Sequence, residues 1–248
     1  IGGAATLVGD PPNIIIASKA NLSFNSFLVH MAPMVIVVLI VIIPLLVLLF
    51  RKELINSESD RDQIMKLSPR EYITDVFLLK KSLFVLALVM VAFITHTVLH
   101  LEPSVIALLG AGILVAISGL KPKDFVADIE WSTLIFFAGL FIMVGALVNV
   151  GALAEFANFL QELFGDDLKL AAGSILGISA VLSGLIDNIP YVASMSPVVA
   201  QLSEGLVGRQ EHVLWWALAF GADFGGNSTI IGASANVVAI GLAYRAGI

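Results

Sequence analysis

The sequence contains no cysteine and little charge. Without Cys there is no disulfide framework, no thiolate metal site and no Cys nucleophile. Asp, Glu, Lys and Arg make up only 13% of the 248 residues, against about 25% in an ordinary soluble domain. That shortage excludes a soluble globular enzyme, a disordered chain and a nucleic-acid-binding domain. What fills the chain instead is apolar: 58% of it is hydrophobic and its mean hydropathy is +0.99. The reading is a polytopic all-α integral membrane protein whose first partner is the lipid bilayer. The net charge of −6 says little about other partners, because most charges sit in a few loops.

Residues 27–50 are a 24-residue run without Asp, Glu, Lys or Arg. At 1.5 Å per residue such a helix spans about 36 Å, enough to cross a bilayer with some tilt. Further spans are expected at 82–100, 103–120, with Gly110 and Gly112 suited to close helix packing, and 132–150. The run 169–186 ends in Asp187-Asn188-Ile189-Pro190, and the apolar run after it, 191–202, is too short to cross alone. A re-entrant hairpin fits both lengths. The last apolar stretch, 212–248, is broken at 221–232.

Charge placement orients the chain. The connector 51–81 holds Arg51, Lys52, Arg61, Lys66, Arg70, Lys80 and Lys81, seven of the thirteen basic residues, and is placed in the cytoplasm. Residues 151–167 contain no Lys or Arg. Their apolar positions Leu153, Phe156, Phe159, Leu160, Leu163 and Phe164 follow helical spacing, as in a helix lying at the outer interface. Trp215 and Trp216 fall near the expected outer end of their helix, as interfacial or as core aromatics. His96 and His100 stand four apart, as zinc ligands can on a helix. No third ligand accompanies them, so no metal site is expected.

Residues 2–16 repeat at 225–239. At a constant offset of 223, five of fifteen positions are identical: Gly2/Gly225, Gly3/Gly226, Thr6/Thr229, Gly9/Gly232 and Asn13/Asn236. Counting spans gives the two copies opposite orientations, as in inverted-repeat secondary transporters, whose sites lie at broken helices near the bilayer midplane. Glycine lets the chain unwind there. Thr6, Gly9, Asn13, Asn227, Thr229, Gly232, Ser234 and Asn236 become candidate substrate or ion ligands, together with Asn188 at the hairpin tip. The helices restarting at Pro11–Asn13 and Ser234–Asn236 offer positive N-terminal ends to an anion. Three acids fall at depth, Asp10, Asp187 and Asp223. Each can carry a proton, neutralise a cation or order its own loop, and Asp187 can cap the next helix.

Gly-Asp-Pro-Pro-Asn at 9–13, Asp-Asn-Ile-Pro at 187–190 and Gly-Gly-Asn-Ser-Thr-Ile-Ile-Gly-Ala-Ser-Ala-Asn-Val-Val at 225–238 resemble the ion transporter superfamily. The nearest branch is that of arsenite-efflux permeases and the melanocyte P protein; citrate carriers and divalent anion:sodium symporters are more distant. The resemblance implies an inverted-repeat fold with a re-entrant hairpin and two broken helices. It also implies a transport domain that slides against a homodimeric scaffold. On that pattern 1–20 is the second half of the first broken helix. Scaffold helices occupy 21–168, with an interfacial helix at 151–168. The hairpin and second broken helix occupy 169–248. The sequence then reads as the middle and later part of a longer protein, lacking an N-terminal hairpin and the last helix. The tip reads Asp-Asn-Ile-Pro where sodium-coupled dicarboxylate relatives carry Ser-Asn-Thr, which points toward proton coupling or cation handling.

The expectation is a secondary active carrier of a small inorganic or organic anion, coupled to H⁺ or Na⁺ and working by alternating access. It would need no other cofactor and sit in a bacterial inner or plasma membrane. A Na⁺/H⁺ type cation antiporter is the alternative. An ion channel and an intramembrane aspartyl protease are remoter, because neither explains the inverted repeat.

Overall fold

The computed structural model describes residues 1–52, 73–119, 121–127, 129, 131–204, 206, 210 and 212–245. Among them there are eleven α-helices and no strand. A 3₁₀ turn at Gly2–Ala5 precedes α1 (Pro11–Ala20) and α2 (Phe24–Phe50). Then come α3 (Val76–Leu99), α4 (Pro103–Ser118), α5 (Pro122–Ala127), α6 (Trp131–Asn149) and α7 (Ala152–Phe164). The last four are α8 (Leu168–Leu185), α9 (Asn188–Leu202), α10 (Val213–Gly225) and α11 (Ser234–Arg245). Four of these, α2, α3, α6 and α8, are long and apolar enough to cross a membrane. Their outward surfaces carry large apolar side chains such as Ile40, Leu49, Phe84, Ile142 and Val181, as a lipid-facing surface requires.

Helix starts follow local chemistry. Asp75 accepts from the Phe77 and Leu78 N–H groups, so α3 begins before the expected span and takes in Lys80 and Lys81. Asp167 caps α8 in the same way through Lys169 and Leu170. Pro11 and Pro103 occupy first-turn positions, where a missing N–H costs nothing. Most of the cytoplasmic connector expected at 51–81 lies outside the described residues.

The chain divides into two compact units, 1–35 with 130–248, and 36–129. In the second unit α3 packs on α4, with Gly110 against Val89. There the Lys81 ammonium donates to the Ile117 carbonyl and lies over the Phe77 ring. Gly112, by contrast, faces open space.

The first unit holds both copies of the repeat and the Asp187–Pro190 tip. Its centre is the helical hairpin α8–α9 packed with α10, α1 and α7. The α8 and α10 backbones meet through small residues. A Cβ on Gly221 would lie 2.6 Å from the Leu176 carbonyl oxygen, and one on Gly225 would strike the Ala180 carbonyl. The Ser183 hydroxyl crosses the same seam to the Ala222 carbonyl at 2.7 Å. On the other side of the hairpin, Ile189 and Ala193 of α9 join Leu140 and Val144 of α6, with Leu153 of α7 against them. The buried face of α7 is Ala157, Leu160 and Phe164, while Phe156, Phe159 and Leu163 remain exposed. Trp215 is buried, and the Trp216 ring stacks on His30 and meets Phe27 edge-on.

Candidate functional site

Each repeat builds the same clamp. In the first, the Asn13 amide nitrogen donates to the carbonyls of Gly3 (3.4 Å) and Thr6 (3.2 Å). In the second, that of Asn236 donates to Gly226 (2.8 Å) and Thr229 (2.9 Å). Every partner is displaced by 223 positions, so the sequence repeat is also a structural one. The asparagine stands in the first turn of the restarting helix and ties it back to the carbonyls of the loop before it; in the first copy those carbonyls also accept from the Thr6 and Gly9 N–H groups. The chain must double back closely to bring them there. A Cβ on Gly3 would lie 2.7 Å from the Gly9 carbonyl oxygen, and one on Gly226 2.9 Å from that of Gly232. The reciprocal Cβ atoms, on Gly9 and Gly232, would strike Gly3 and Gly226. The glycines are there because backbone passes against backbone.

The tip of the α8–α9 hairpin touches both loops. The Asn188 side-chain nitrogen donates to Asp10 Oδ2 at 3.3 Å, and its backbone N–H donates to the Gly232 carbonyl at 3.2 Å. The Thr229 hydroxyl donates to the Gly184 carbonyl on the other arm of the tip. Asn188 is 1% exposed and Asn13 fully buried. Three sequence motifs therefore meet at one place, the first and second joined directly across 178 residues.

The three acids have different surroundings. Asp187 is the N-cap of α9, accepting from the Ile189 N–H at 2.9 Å. Asp10 is the N-cap residue of α1 but makes no capping bond with its side chain; it takes the Asn188 amide instead. Asp223, on α10, is 5% exposed, and neither carboxyl oxygen has a hydrogen-bond partner. Of the roles open to Asp223, ordering its own loop is not one its carboxyl performs here: Asn227 bonds its backbone carbonyl, and neither carboxyl oxygen bonds the loop. Asp10 lies near enough to act electrostatically on both Asp187 and Asp223.

Of the residues singled out by sequence, Asp10, Asn13, Asp187, Asn188, Asp223 and the backbones of Thr6, Gly9, Thr229 and Gly232 gather here. Asn236 holds the second loop. Ser234 and Asn227 are exposed, and Asn227 makes a local bond. Sequence reasoning passed over Ser183 and Gly184, which seat the second loop on α8. Their signal was the small-residue spacing of Ser179, Ser183 and Gly184. Among the described residues, no three His, Asp or Glu side chains are grouped to hold a metal ion.

A family model described as citrate transporter matches residues 1–221. An uncharacterized transporter of Mycobacterium tuberculosis is 55% identical over the whole chain, which covers 58% of that protein. A 46 kDa membrane protein of Mycobacterium leprae is 53% identical, with the same coverage. The human P protein is 33% identical across the whole chain, which covers 39% of its length. The chain thus spans about three fifths of the mycobacterial relatives. Apolar helices of spanning length and these relatives agree, and the chain belongs to the citrate transporter family of integral membrane transporters.

Proposed function

We propose that the protein to which this chain belongs is a secondary active carrier of a small anion in the plasma membrane, coupled to H⁺ or Na⁺. The observation that carries the reading is Asn188, whose side chain and backbone reach the first and the second loop at once. A carrier needs a site whose walls belong to elements that move together, and a hairpin tip tied to two broken helices is such a unit. The N-termini of α1 and α11 each present partial positive charge, which suits an anion, although Pro11 and Pro12 carry no N–H and the Asn13 N–H is given to the Asp10 carbonyl. Thr6, Gly9, Asn13, Asn188, Asn227, Thr229, Gly232, Ser234 and Asn236 are the proposed ligands and supports. The name borne by the family makes citrate one substrate to test, and the branch resemblance adds arsenite. A homodimer through the scaffold helices belongs to the same proposal.

A second reading is a cation/proton antiporter. What favours it is the gathering of Asp10, Asp187 and Asp223, since acids at membrane depth are costly and mark ion or proton pathways. One experiment separates the two. The full-length protein in liposomes is offered arsenite, citrate, dicarboxylates, chloride and Na⁺ under separate pH and Na⁺ gradients. A carrier of anions moves one of the anions, whereas an antiporter moves Na⁺ against protons with none present. Asn188→Ala and Asn236→Ala are expected to abolish flux with expression retained. Normal flux in both would defeat the site assignment.

A further inference from the structure

One lysine of α3 stands in a surface that is otherwise made for lipid. Lys80 is exposed, and so are the residues three and four positions to either side of it, its neighbours on the helix surface: Val76, Phe77, Leu83 and Phe84. Each of those four is more than half exposed, and on a spanning helix such side chains belong against acyl chains. An ammonium among them calls for an anion. Lys81 has its partner already, donating to the Ile117 carbonyl in the last turn of α4 and lying 4.4 Å from the centroid of the Phe77 ring. The acid that most closely precedes Lys80, Asp75, accepts from the Phe77 and Leu78 N–H groups. The helix itself does not favour the charge, because a cation is stabilised at a helix C-terminus and Lys80 stands in the second turn of α3.

Depth brings the headgroups within reach. The 24 residues of α3 span about 36 Å, against about 30 Å of hydrocarbon. Centred in the bilayer, the helix has the Lys80 Cα about 3 Å below the headgroup boundary. Side chains on a helix lean toward its N-terminus, which here is the membrane edge, so the ammonium rises to the level of the phosphates. A second cation comes from α4. The bond from Lys81 to Ile117 and the contact of Val89 with Gly110 make α3 and α4 antiparallel, so α4 ends beside the start of α3. Lys121, also exposed, follows Ile117 by four residues, which keeps the two Cα atoms within about 14 Å. Lys123 stands next to Asp124 in the sequence and adds less.

We propose that the membrane edge formed by the start of α3 and the end of α4 is a docking surface for an anionic phospholipid. The phosphodiester oxygens take the Lys80 ammonium, the acyl chains cover Phe77, Leu83 and Phe84, and Lys121 adds positive charge at headgroup level. A zwitterionic lipid fits less well, because it brings its own ammonium to the same place. The surface lies on α3 and α4, away from both loops of the repeat, and does not depend on which ion is carried.

The test counts bound lipids. The full-length protein in detergent is titrated with phosphatidylglycerol and, separately, with phosphatidylcholine, and the complexes are resolved by native mass spectrometry. The first phosphatidylglycerol should bind several-fold more tightly than the first phosphatidylcholine, and added salt should narrow the gap. Lys80→Gln should weaken phosphatidylglycerol by about fivefold, the effect of one lysine at a membrane surface, and leave phosphatidylcholine unchanged. Lys80→Arg keeps the charge and should keep the preference, and Lys121→Gln should lose less than Lys80→Gln. Lys19→Gln, an exposed position on α1, should alter neither lipid. Equal affinity for the two lipids in the parent protein overturns the proposal, as does undiminished phosphatidylglycerol binding in Lys80→Gln. Displacement of the lipid by millimolar inorganic phosphate also overturns it, because the surface would then be a site for a free anion. If Lys80→Gln fails to fold, the salt series on the parent protein decides: a gap that closes supports the proposal and one that stays open at high salt overturns it.

Discussion

The loops at 3–9 and 226–232 share one clamp but not one environment. In the first, Asn13 is fully buried, and Pro12, Ile16 and Ala17 beside it are buried too. The equivalent positions in the second copy are Ala235, Ala239 and Ile240, all exposed, with Asn236 half-buried. The first loop carries its acid inside the break, at Asp10; the second has Ala233 at that position and an acid one turn before the break, at Asp223. Identity at five positions is enough to shape the backbone, because the shape depends on two glycines, two carbonyls and an amide within the same short segment. What surrounds that shape is decided by helices elsewhere in the chain. The two copies can therefore act alike in geometry while differing in charge and in depth.

The glycine contacts offer the strongest way to break the likeness. Gly9→Ala and Gly232→Ala each drive a methyl into a backbone carbonyl that no rotamer change can move aside. Overpacking of this kind costs about 1–3 kcal/mol, and here it opens the clamp itself. Both variants are expected to lose transport in liposomes, with a fall in thermal midpoint measured on the detergent-solubilised protein. Gly112→Ala is the control, because its Cβ meets open space on α4, and a mid-helix Gly→Ala is worth about 0.5–1 kcal/mol of added stability. If Gly232→Ala transports normally, the second loop is not held as the first is.

Removing the clamp amide should distinguish the copies more finely. Asn13→Ala empties a fully buried side-chain site and removes two bonds to the Gly3 and Thr6 carbonyls, which keep the Thr6 and Gly9 N–H groups as backbone partners; the cost is about 0.5–1.5 kcal/mol for each lost bond, plus the cavity. Asn236→Ala removes the two clamp bonds of a half-buried side chain, where water can take their place, so its loss of stability should be the smaller of the two. Both should still abolish flux. Equal thermal shifts would mean that burial does not distinguish the loops.

Much of this architecture is legible in sequence. The clamp is visible because its parts recur at a fixed offset, and helix starts are visible because Pro11, Pro103 and Asp167 are local signals that need no tertiary partner. The approach of Asn188 to Asp10 is not visible, since it joins positions 178 apart and depends on how α9 packs against α1. Nor is the bareness of Asp223: a lone Asp in an apolar run reads the same whether its oxygens are bonded or not. Asn227 and Ser234 share the polarity of true site residues and the same loop, and only their exposure sets them apart.

The smallest expected effect concerns the acid at the hairpin tip, set against the acid on α10. Asp187 and Asp223 look alike in sequence, each an Asp at the end of an apolar run. In the structure one oxygen of Asp187 caps α9 through the Ile189 N–H, while Asp223 has no partner. Asn caps a helix about as well as Asp, whereas Ala forfeits roughly 1 kcal/mol. Asp187→Asn should therefore leave the thermal midpoint and the pH response of transport close to those of the parent protein, and Asp187→Ala should lower the midpoint by a few degrees without changing that response. On the proton-coupled reading Asp223→Asn should do the reverse, holding stability and flattening the response, because an amide can neither gain nor lose a proton. If Asp187→Asn flattens the response instead, the cap is incidental and the proton belongs at the tip.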